Sequence, residues 1–106
     1  MPLDYEAARH LVTEHLHILD RKAEKPQGLA IQETGTLERP WGWIFFWNTR
    51  LFLETGDLEH AMMGNPPICV NRLDGAVTII GGDGPLEAEL RRYERRIGFR
   101  KWWRFW

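Results

Sequence analysis

A chain of 106 residues holds one domain, long enough for a real hydrophobic core and too short for two. Apolar residues make up 43% and charged residues 27%, which excludes wholesale disorder; the unusual feature is six tryptophans. The net charge of −1 hides an acidic body of −7 over residues 1 to 90 and a basic end of +6 over residues 91 to 106, an asymmetry that points to charged partners.

Asp4 is placed to N-cap a first helix, with Glu6 favourably set against the helix dipole. Ala8, Leu11, Val12, His15, Leu16 and Leu19 recur at helical spacing as its apolar face, and Lys25-Pro26-Gln27-Gly28 stops it. The weakly alternating "LAIQETGTLERP" reads as a strand or loose hairpin arm that Pro40 ends. In "WGWIFFW", residues 41 to 47, a two-residue period puts Trp41, Trp43, Phe45 and Trp47 on one side, Ile44 and Phe46 on the other. A strand apolar on both faces is expected to be central and covered twice, because five exposed aromatics would invite aggregation. Only Trp41 and Trp47, at its ends, are left able to reach a surface.

"LFLETGD" is predicted as a short strand ending at a turn on Gly56, and "LEHAMM" as one helical turn before Gly64-Asn65-Pro66-Pro67. "ICVNRLDGAVTII" reads as a hairpin around Asp74-Gly75. Pro85 suits the first position of a second helix, whose stripe is Leu86, Leu90, Tyr93 and Ile97 and whose C′ residue is Gly98. The resulting fold class is α+β: a single domain, residues 1–98, with an antiparallel sheet of about four to five strands and an N-terminal and a C-terminal helix packed on it. Residues 99–106 form a separate basic aromatic tail.

Motifs for catalysis are weak. His10, Glu14 and His17 share one helical stripe, but it lies opposite the apolar face and points to water, so no metal is expected. His15 falls in the apolar stripe, and His60 has no neighbouring ligand pattern. The glycines at 81, 82 and 84 lack both the Walker lysine and the G-x-G-x-x-G spacing, and read as a turn with a helix cap. Cys69, the single cysteine, sits between Ile68 and Val70 as an inert packed thiol and fits a reducing compartment. The carboxylates are scattered. No enzyme activity and no cofactor are expected.

The tail is a different matter. Phe99, Trp102, Trp103 and Trp106 follow helical spacing with Arg100, Lys101 and Arg104 between them. Their apolar phase lies about 200° from that of the preceding helix, with Gly98 offering a break. Interleaved rings and cations suit single-stranded nucleic acid or a membrane surface, while fold-back on the acidic body or self-association is the simpler alternative.

Gly42-Trp43 with Phe45, then "FLETGD" from Phe52, then Gly64-Asn65 with Pro67-Ile68 and Val70, resemble the YrhB family, also called immunity protein 35. Gly75, Pro85-Leu86-Glu87 and Tyr93-Glu94 continue the resemblance, which spans roughly residues 42 to 94. It implies a small bacterial cytoplasmic protein, often encoded beside polymorphic secreted toxins, that binds its cognate toxin and neutralises it. It implies no cofactor and no catalytic residue. The signature positions Gly42, Trp43, Phe45, Gly56, Gly64, Asn65, Pro67, Gly75, Pro85 and Tyr93 look architectural.

The expected function is therefore stoichiometric toxin binding. Candidate contacts are Trp41, Trp47, the acids Glu54, Asp57 and Glu59, and the tail residues Trp102, Trp103, Arg104 and Trp106. The alternatives are a nucleic-acid-binding module working through the tail and a chaperone-like or self-associating protein, which would make a homo-oligomer. The charged N-terminus and the lack of an apolar run near the roughly 18 residues of a membrane span lead to a cytoplasmic expectation.

Overall fold

The computed structural model describes residues 2–81 and 84–98. Helix α1, Tyr5–Arg21, starts as the sequence predicts: Asp4 accepts from the Ala7 N–H at 2.8 Å. Its buried residues are Ala8, Val12 and Leu16, one turn apart along a single face. The strands follow as β1 (Leu29–Ile31), β2 (Leu37–Arg39), β3 (Gly42–Phe45) and β4 (Trp47–Thr49). Helix α2 spans Arg50–Thr55 and a 3₁₀ turn Leu58–His60; then come β5 (Ile68–Asn71), β6 (Val77–Ile79) and α3 (Leu86–Arg96). The α+β class holds, with terminal helices packed on antiparallel strands. Among the described residues the strands divide into a four-stranded sheet, β2-β3-β5-β6, within the expected four to five, and a separate β1-β4 pair.

The larger sheet has both faces covered. Register pairs Trp43 with Val70 and Phe45 with Ile68, and these side chains meet α1 through Ala8, Val12 and Leu16. Ile44 pairs with Cys69 on the opposite face, where α3 brings Leu90 and Tyr93. Central β3 is buried at every position, as expected for a strand apolar on both sides. The expected grouping of its aromatics needs one correction. Trp43, Phe45 and Trp47 do share the α1 side, but Trp41 lies in the α3-side cluster, its ring 4.7 Å from that of Tyr93. Alternation stops at Gly42, whose φ of +154° redirects the chain. A Cβ there would meet the Val70 carbonyl oxygen at 1.9 Å, so only glycine allows β3 to lie this close to β5.

"LFLETGD" is the second correction: it is helical, not extended. Thr49 caps α2, its Oγ1 accepting from the Phe52 N–H at 3.1 Å, and Gly56 closes it in the left-handed conformation at φ +74°. Pro85 is the N-cap of α3 rather than its first helical residue, while Gly98 follows the Ile97 C-cap as expected. Acids Glu87 and Glu89 in the first turn and Arg95 and Arg96 in the last complement the α3 dipole. The predicted hairpin forms between β5 and β6, with the Gly75 N–H donating to Asn71 O at 2.9 Å and Asp74 Oδ1 accepting from Ala76 N–H at 2.9 Å.

Candidate functional site

The three residues of β4 pair with β1 through their backbone and use their side chains for another task. Asn48 Oδ1 accepts from the Met62 N–H at 2.8 Å, and its Nδ2 donates to Met62 O at 3.1 Å. The Thr49 hydroxyl, besides capping α2, donates to His60 O at 2.6 Å. Trp47 Nε1 donates to Pro66 O at 2.7 Å, and Asn65 Nδ2 returns a bond to Trp47 O at 2.9 Å. The segment from the 3₁₀ turn to Pro66 is thus lashed along β4 by five hydrogen bonds, four of which satisfy its backbone groups at His60 O, Met62 N–H, Met62 O and Pro66 O without sheet pairing.

The acids expected as partner contacts lie on α2 and the 3₁₀ turn that follow β4. Glu54 is on α2, Asp57 caps the 3₁₀ turn by accepting from the Glu59 N–H at 3.0 Å, and Glu59 lies within that turn. All three are exposed. Glu54 also borders an open cleft of about 350 Å³ between α1, β1 and α2, which His17, Arg9 and Arg50 share. His60 sits 3.8 Å from Asp57. Beside the acids the turn displays Leu58, 75% exposed, and Met63, 86% exposed. Neither apolar residue stood out in the sequence, where "LEHAMM" blended into a predicted helical turn. Asn48 carries no sequence signal of its role, whereas Thr49 ahead of an apolar run with Gly56 after it is a legible helix frame.

Trp41 and Trp47 do not accompany the acids to the surface. Each is buried, Trp41 at 4% exposure and Trp47 at 6%, and each spends its indole N–H inside the fold: Trp41 on Glu94 Oε2 at 2.8 Å, Trp47 on Pro66. The expectation that they reach a surface is therefore corrected. Trp102, Trp103, Arg104 and Trp106 lie outside the described residues, as do residues 82 and 83 of the glycine cluster.

The remaining polar features are structural. Burial pushes the Cys69 thiol from 9.0 up to about 12, only partly offset by Arg96, which removes nucleophilic character. Burial likewise raises the Tyr93 phenol from 10.0 to about 12, with the neighbouring Cys69 and Asp74 adding to the rise. The Arg9 guanidinium is hydrogen-bonded to the exposed Glu33 carboxylate, which raises its already high pKa. His10 and Glu14 stand 3.8 Å apart on an exposed face. Among the described residues, no group of three or more His, Cys, Asp or Glu side chains is arranged to hold a metal ion, and no helix is long and apolar enough to cross a membrane.

The signature residues take up positions in this framework. Gly56 ends α2, Gly64 and Asn65 carry the lashed segment back toward Trp47, and Pro67 O accepts the Ile80 N–H at 3.0 Å beside β5. Trp43, Phe45 and Tyr93 fill the two cores, and Gly75 and Pro85 lie at the hairpin turn and the α3 cap. The family model described as immunity protein 35 matches residues 6–95. The chain belongs to the immunity protein 35 family. A stretch of 53 residues, 50% of this chain, is 40% identical to the uncharacterized protein YrhB of Escherichia coli (strain K12). That match covers 56% of YrhB, little more than half its length. No solved structure matches the chain. In this immunity protein 35 member, α1 also falls within the family match, extending it well beyond the motifs from Gly42 onward.

Proposed function

We propose that this chain is an immunity protein that binds one cognate toxin of the polymorphic secreted type, one to one, and neutralises it in the cytoplasm. Membership of the immunity protein 35 family over residues 6–95 carries the reading. Neutralisation then proceeds by occupancy: the bound chain covers the toxin's working surface or holds it inactive, with no turnover. Glu54, Asp57 and Glu59 form the proposed contact patch, and they suit a toxin whose matching surface is basic, as nuclease surfaces are. Charge of this kind chiefly sets association rate and partner choice.

The test is co-expression in a bacterial host. The product of the toxin gene adjacent to this chain's gene is expressed with and without the chain, and the pair is then purified. The expected result is restored growth and a one-to-one complex; a toxic neighbour with neither rescue nor complex overturns the assignment for that pair.

A further inference from the structure

We infer that residues 58–63 are the toxin-recognition turn, anchored by Leu58 and Met63, and that they fit an apolar depression rimmed by lysine or arginine on the partner protein. This deepens the immunity reading and rests on it.

Two motifs carry the family resemblance on either side of this turn, "FLETGD" ending at Asp57 and Gly64-Asn65-Pro66-Pro67 after it. The six residues between belong to neither. Both flanks are fixed: Thr49 caps α2, Asp57 caps the 3₁₀ turn, and Asn65 and Pro66 are tied to Trp47. The middle is fixed as well, through His60 to Thr49 and through Met62 to Asn48. The inward residue of the pair at 62 and 63 is Met62, which packs against the α1-side core; Met63 is left 86% exposed. Leu58 is 75% exposed on the same short segment.

Burying a side chain of this size stabilises a fold by about 1.5–3 kcal/mol, so two left in water on an ordered support forgo a substantial gain. A mobile loop would lose chain entropy on binding; this one has lost it during folding, so the cost of association falls. Rigid apolar anchors beside charged groups are the usual composition of an interface centre and its rim. Charge selects the occupant. Residues 51–63 contain Glu54, Asp57 and Glu59, and neither lysine nor arginine. Among the described residues the Glu54 and Glu59 carboxylates have no ion-pair partner, which leaves both available to cations on another protein.

The experiment measures binding of the purified adjacent-gene toxin to the full chain and to three variants. Leu58→Ser with Met63→Ser should weaken binding about 100-fold, mainly through faster dissociation. Its melting temperature should be unchanged, because neither side chain is in the core. Glu54→Lys with Glu59→Lys should slow association about tenfold and flatten its salt dependence. Asn48→Ala keeps both anchors but loosens their support, and should weaken binding by a smaller factor. Full affinity in the Leu58/Met63 double variant, with the wild-type chain still binding, overturns the turn as the recognition element and leaves the immunity reading intact. A wild-type chain that forms no complex with that toxin overturns both.

Discussion

Gly42 and Cys69 show how individual residues set limits on this fold. Gly42 lets β3 approach β5, and an alanine there would drive its Cβ to 1.9 Å from the Val70 carbonyl oxygen. Since backbone rather than a flexible side chain is in the way, Gly42→Ala should cost more than about 3 kcal/mol, read as a large loss of urea midpoint or failure to fold. Cys69 tests burial by chemistry. It is 0% exposed with its pKa raised to about 12, so at pH 8 a thiol reagent should label it only after denaturant is added. The same shifts fix a pH dependence. Folded Cys69 and Tyr93 hold their protons more tightly than the unfolded chain does, so their contribution is fully present below about pH 9 and is lost as pH rises toward 12. Urea unfolding across that window should show stability falling, with a shallower fall in Cys69→Ala.

At the scale of elements, β4 is small and decisive. Asn48→Ala removes two bonds to Met62 and one to the Thr49 N–H, three contacts from one side chain. At about 1 kcal/mol each the variant should lose about 2–3 kcal/mol, with amide exchange at Met62 accelerating more than in the hairpin around Gly75. Both long helices, the β5–β6 hairpin and the burial of the aromatic stretch were legible in the sequence, because caps, period and turn residues agree there. Two things were not. Leu51, Phe52 and Leu53 form a short apolar run with no period of its own, and such a run fits strand or helix equally; the Thr49 cap and Gly56 stop decide it. Trp41 changes face because the first residue of β3 after it, Gly42, sits at φ +154°, a local twist that strict alternation cannot register. The acidic part of the candidate site was readable as composition. Its apolar part was not, since exposure of Leu58 and Met63 depends on hydrogen bonds from a strand ten or more residues away.

Among the described residues, α1 and the β1-β4 pair surround one core and α3 covers the other, whose last member along the chain is Ile97. Leu37, Phe46, Leu86 and Ile97 complete the α3 side around Trp41 and Tyr93. Trp41 further ties the β2–β3 turn to α3 through its hydrogen bond to Glu94. We propose that the domain boundary falls at Gly98 and that the basic aromatic tail adds a separate property. A chain ending at Gly98 should therefore melt cooperatively within about 4 °C of the full chain, equivalent to about 1 kcal/mol. Removing residues 99–106 takes away Arg100, Lys101 and Arg104 and moves the net charge from −1 to −4. Attraction to a basic toxin should then strengthen, giving equal or faster association at low salt, because the acidic turn faces less competing positive charge from its own chain. Any salt-sensitive binding of single-stranded nucleic acid by the full chain should disappear in the shortened one. A drop in melting temperature well beyond 4 °C would instead make the tail part of the fold, with its rings contributing to packing rather than to a partner.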